Sequence, residues 1–148
     1  MKIKEGMFAV KLYELEQQYG RMQSRLHLCQ QDDHQKIRRE LQRATEEYQE
    51  DELLLKKNVE NSRSPAVAAL AEAQLEYSRR VKEIYDRELP EYFQEETETD
   101  QENQAEATAL YAEYAIDFAV QSMRYALMTT LKAIDTQMDT EEEAKKNE

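Results

Sequence analysis

Two histidines and the only cysteine lie within eight residues: His27, Cys29 and His34. Imidazole and thiolate are the donors a tetrahedral zinc site takes, but such a site needs a fourth ligand and a motif spacing, and neither is evident here. A di-iron site in a helical bundle would need inward glutamates and Glu-x-x-His pairs on facing helices. The residues three before the two histidines are Ser24 and Gln31, so neither pair exists. With Gly6 and Gly20 as the only glycines, a phosphate-cradling loop is impossible, and no Gly-x-Ser-x-Gly occurs. Cys29 falls on an apolar helical seam, where a thiol is a small buried hydrophobe rather than a nucleophile. The sequence therefore assigns no catalytic residue, no metal ligand and no cofactor.

Arg21 and His27 stand in an Arg-x5-His arrangement. In spacing it resembles the ribonuclease motif of HEPN domains, which are also helical bundles. That resemblance would imply a nuclease, but the family carries its motif near the last helices and here it lies in the first. A metal-dependent or nuclease-type helical enzyme is thus one alternative reading of the chain.

Charge offers a second kind of chemistry. The 148 residues carry a net charge of -12. Residues 1–43 hold nine Lys/Arg and six Asp/Glu, and the remainder hold eleven and twenty-six. In an up-down bundle the first and third connections share an end. Arg21, Arg25, His27, His34, Arg38 and Arg39 would then lie near Glu91, Glu95, Glu96, Glu98, Asp100 and Glu102. The ordinary reading is a solvated surface with loose complementarity; the functional one is a polar end for docking a partner. The acids lack the spacing of a calcium loop. Strong acidity also argues against nucleic acid and anionic membrane as partners, since both require a positive surface.

The elements that hold these residues are helices. Two Gly and two Pro in a chain rich in Glu, Gln, Ala, Leu, Lys and Arg indicate an all-α fold. A mean hydropathy of -0.97 makes disorder the rival, and regular apolar spacing decides against it. Phe8, Leu12, Leu15, Tyr19, Met22, Leu26 and Cys29 alternate four and three apart, as in a coiled-coil or bundle seam. Gly20 interrupts this helix and would mark a bend or a close contact. With Asp32 or Asp33 as N-cap, a second helix carries Ile37, Leu41, Ala44, Tyr48, Leu55 and Val59 as its seam, broken near Asp51 and Glu52 as by a stutter in the heptad. Ser64 as N-cap with Pro65 behind it opens a third helix, which Pro90 should kink or end. Thr99 and Glu102 have capping-box spacing and open a fourth. The expected helices are 6–29, 33–61, 65–93 and 100–139, in one domain of residues 1–139. Residues 140–148 are expected to be a disordered acidic tail. Short connections favour an antiparallel up-down-up-down four-helix bundle; extended helical hairpins in a coiled-coil-like assembly are the alternative.

Residues 105–134 hold only five charges and two apolar stripes. Ala109, Ala112, Ile116, Val120, Met123, Leu127, Leu131 and Ile134 make an aliphatic one. Tyr111, Tyr114, Phe118 and Tyr125 make an aromatic one nearly opposite, with Glu113, Asp117 and Arg124 between them. An ordinary bundle helix needs one buried face, so the second needs a partner. Nine tyrosines suit the boundary of a thin bundle and are also enriched at interfaces. The sequence thus predicts a non-catalytic protein that binds protein, self-associating as a homo-oligomer through Tyr111, Tyr114, Phe118 and Tyr125. A small acidic adaptor or export chaperone shielding a client helix is the alternative. The first twenty residues lack the pattern of a signal peptide, and no apolar run reaches the ~18 residues of a membrane span, so a cytoplasmic protein is expected.

Overall fold

Helix follows helix because local capping signals are in place where the second, third and fourth begin. In the computed structural model, residues 6–29, 33–93 and 99–148 are described. They form α1 (Met7–Cys29), α2 (His34–Asn61), α3 (Pro65–Glu83) and α4 (Asp100–Lys146), with no strand among them. The chain is all-α with the four helices that a four-helix bundle requires. No helix among the described residues is long and apolar enough to cross a membrane.

The caps are the expected ones. The Asp33 carboxylate accepts from the backbone N–H groups of Gln35 and Lys36, satisfying donors that the first turn leaves open. Ser64 accepts from Val67 N–H, with Pro65 at the first helical position. The Thr99 hydroxyl accepts from Glu102 N–H at 3.2 Å, and the Glu102 carboxylate accepts from Thr99 N–H at 2.9 Å, a complete capping box. Gly20 lies inside α1, and a Cβ built there would meet nothing within 4 Å. It therefore marks no close contact and costs α1 about 1 kcal/mol against alanine.

Pro90 ends α3 in a particular way. A proline lacks the N–H of a helical rung, and its ring clashes with the carbonyl four residues earlier. The chain widens ahead of it into a π-helical turn, Ile84–Glu88, closed by a Leu89 N–H to Ile84 carbonyl bond, and then tightens into a 3-10 turn, Leu89–Phe93. Arg80 reaches across this turn to Glu88 at 3.1 Å and also pairs with Glu83 at 3.6 Å.

Instead of ending near 139, α4 continues to Lys146. Residues 141–146 are Glu, Ala and Lys, all strong helix formers, and Lys145 and Lys146 sit where the helix dipole favours cations. The Thr140 hydroxyl donates to the Thr136 carbonyl. At 47 residues and ~1.5 Å each, α4 is about 70 Å long.

The single domain expected from the sequence divides into two compact units. Unit 2 is residues 32–113: α2, α3, the π and 3-10 turns, and the start of α4. Its helices α2 and α3 form an antiparallel hairpin. The Tyr48 hydroxyl meets the Ser78 hydroxyl at 3.4 Å, and these residues are equidistant in sequence from Arg63 in the connection. Every buried residue among those described lies in unit 2: Ala71, Leu75, Asn103 and Ala107. Unit 1 comprises residues 1–31 and 114–148, with α1 and the rest of α4.

Candidate functional site

The residues singled out by sequence fall into three groups. The first is Tyr111, which is half-buried in unit 2. Its ring stacks on that of Tyr85 in the π-helical turn, with centroids 4.6 Å apart and planes inclined by 33°. The Tyr85 and Thr108 hydroxyls are 3.0 Å apart. Thr108 already donates its hydrogen to the Gln104 carbonyl at 2.8 Å. Tyr85 is therefore the donor in the pair, and Thr108 the acceptor. Burial pushes the Tyr111 phenol above the ordinary tyrosine range, and the nearby phenols of Tyr48, Tyr77 and Tyr85 and the Asp86 carboxylate add to the shift. Four tyrosines from α2, α3, the π turn and α4 thus converge in unit 2.

This convergence has a measurable consequence. Because the folded state holds the Tyr111 proton more tightly than the unfolded chain does, its contribution to stability is intact below the ordinary phenol pKa of about 10. It is lost as pH rises from there through the folded value. In a spectroscopic tyrosinate titration, Tyr111→Phe should remove one late-ionising phenol. A variant that loses an ordinary one instead would count against this environment.

The second group is the stretch of α4 in unit 1. Tyr114 is 61% exposed, Phe118 42% and Tyr125 64%. The aliphatic stripe is exposed as well: Ile116, Val120, Met123, Leu127, Leu131 and Ile134 lie between 40% and 62%. On α1, Leu12, Leu15, Tyr19, Met22 and Leu26 of the seam are also exposed. A monomeric surface rarely carries so continuous an apolar area without a use for it.

The third group is the polar end. Arg21 and His27 are exposed and Arg25 half-buried on the last turns of α1. Gln23, Ser24, Leu26 and His27 line an open depression there. His34, Arg38 and Arg39 are exposed on the first turns of α2, in the other unit. Glu91 is exposed on the 3-10 turn, and Asp100 and Glu102 on the first turn of α4. Glu95, Glu96 and Glu98 lie outside the described residues. Among the described residues, no three His, Cys, Asp or Glu side chains gather as a metal ion would require.

Sequence reasoning missed the tyrosine convergence. The available signal was the hairpin itself: once the turn is placed at residues 62–64, Tyr48 falls level with Ser78. Nothing comparable ties Tyr111 to Tyr85, because that contact depends on how the chain returns after Pro90. Compared with known proteins, the chain matches no family model, no curated protein and no solved structure.

Proposed function

We propose that this chain is a non-catalytic helical protein whose work is protein–protein association, and that it self-associates through α4 beyond residue 113. The supporting observation is that both apolar stripes of α4 are exposed there, although an amphipathic helix ordinarily has one apolar stripe and buries it. Tyr114, Phe118 and Tyr125 are the aromatic contact in this reading. Tyrosine and phenylalanine bring large apolar area at low entropic cost, and the tyrosine hydroxyls tolerate the wet rim of an interface. Tyr111, engaged with Tyr85, positions α4 and leaves the contact to the other three. A cytoplasmic setting belongs to the same proposal, on the strength of an acidic chain with one cysteine.

Size-exclusion chromatography with light scattering tests it. The wild-type chain should have at least twice the 17.5 kDa of one copy. Tyr114→Glu with Phe118→Glu should lower that mass while helicity is retained, because charges placed in an aromatic contact lose their hydration with no compensating partner. An unchanged mass in a folded double variant would rule out the aromatic face. A monomeric wild-type chain would rule out self-association and leave a different client protein as the partner.

A further inference from the structure

We propose that the aliphatic seam of α4 pairs with the same seam of a second copy of this chain, parallel and in register. The proposal rests on the self-association above and adds a second contact, on the face of α4 opposite Tyr114, Phe118 and Tyr125, with its direction.

The period of the seam selects the occupant. Ala109, Val120 and Leu131 are eleven residues apart, as are Ala112, Met123 and Ile134, and Ile116, Leu127 and Met138. An eleven-residue repeat advances 3.67 residues per turn, so the stripe runs nearly straight with a slight right-handed drift. The seam of α1 steps four and three, at 3.5 residues per turn, and winds left-handed; that of α2 shares the eleven-residue step from Ile37 through Tyr48 to Val59, but it is engaged within its own hairpin, where Tyr48 meets Ser78 of α3. Over the length from Ile116 to Met138 the two kinds of stripe diverge by about 100°. A heptad helix cannot follow the α4 seam from end to end, whereas another α4 can.

The available area is sufficient. Ile116, Val120, Met123, Leu127, Leu131, Ile134 and Met138 are each 40% to 62% exposed. Together they offer about 700 Å² per copy, close to the ~800 Å² per partner of a stable complex.

Charge sets the direction. One flank of the seam carries Glu113, Asp117, Arg124, Lys132, Asp135 and Asp139. The other carries Ala115, Ala119, Ala126 and Thr130, and meets its first charge, Glu141, only beyond the last seam residue. In a parallel pair, opposite flanks face each other; in an antiparallel pair, like flanks do. The parallel pair lays each charged flank against small neutral residues. An antiparallel pair centred on Leu127, where the seam spacing is palindromic, would set Asp117 level with the gap between Asp135 and Asp139 of the second copy. It would also bring Arg124 near Lys132. Like charges so juxtaposed oppose association.

Single cysteines introduced in the full chain, with Cys29→Ser as background, test the geometry. A disulfide forms where Cα atoms lie about 4.4–6.8 Å apart. Parallel register places each seam position opposite itself, so Val120→Cys, Leu127→Cys and Ile134→Cys should all become covalent dimers in most of the chain on mild oxidation. Cross-linking of Leu127→Cys alone means antiparallel pairing, which overturns the proposal and leaves self-association standing. No cross-linking in a chain whose scattering mass is oligomeric overturns the seam and leaves the aromatic face. A monomeric mass overturns both.

Discussion

Replacing Ala107 by leucine should destabilise unit 2 by about 1–3 kcal/mol, the usual cost of forcing extra methylenes into a packed site. Ala107 is 0% exposed, the most buried residue among those described. Its neighbours one helical turn away on α4 are Asn103, 7% exposed, and Tyr111, stacked on Tyr85. A side chain at 107 must therefore be small for this face of α4 to sit where it does. The other buried apolar residues described are Ala71 and Leu75, spaced one turn apart on α3. Because so few residues form this core, a loss of 1–3 kcal/mol is a large fraction of the ~5–15 kcal/mol typical of a domain. Ala107→Asp should be worse still, since a carboxylate would enter with no partner. The matched control is Ala73→Leu, on α3 of the same unit but exposed, which should change stability by less than about 0.5 kcal/mol. Urea unfolding followed by circular dichroism at one fixed protein concentration would show a lower midpoint with an unchanged slope for Ala107→Leu. Equal midpoints for the two variants would mean that Ala107 is not at a close-packed contact.

The contrast between buried and exposed alanines shows what the sequence could reveal. Starts of helices were legible because caps are local chemistry: Asp33, Ser64 with Pro65, and Thr99 with Glu102 each need only the next three residues. Apolar spacing placed four helices for the same reason. The end of α4 was not legible, because Glu141, Ala144 and Lys146 contain no stop signal and their polarity resembles a tail. Pro90 announced an interruption, but its form, a π turn followed by a 3-10 turn, depends on where the chain goes next. Spacing put Ala112 on the aliphatic stripe and left Ala107 off it, yet Ala107 is the buried one and Ala112 is exposed; only the return of α4 onto the rest of unit 2 selects that face. Of the aromatic stripe, Tyr114, Phe118 and Tyr125 are exposed, whereas Tyr111 is half-buried at the contact with Tyr85. Spacing along one helix cannot register that difference.

The fragment of residues 32–113 should fold alone, melt cooperatively and stay monomeric at concentrations where the full chain associates. Everything that closes unit 2 lies inside these limits. The caps of α2, α3 and α4 do so, as do the Tyr48–Ser78 contact, the Tyr85–Tyr111 stack and all four buried residues described. A domain this short buries a modest share of its surface, so its melting temperature should be low but its transition single. The part removed is different in kind. In α1 and in α4 from Tyr114 onward no described residue is buried, and the large apolar side chains described, apart from the half-buried Phe8, are exposed. Such helices have little to hold them except one another or a second molecule, and most helical stability in proteins comes from packing an apolar face rather than from the helix alone. Removing them should therefore abolish association while sparing the fold of unit 2. Light scattering and a thermal melt on the same sample read both quantities. If the fragment associates as the full chain does, the contact surface belongs to unit 2 and the assignment to α4 fails. If the fragment is unfolded, unit 2 depends on the remainder of the chain, and its small core is not self-sufficient.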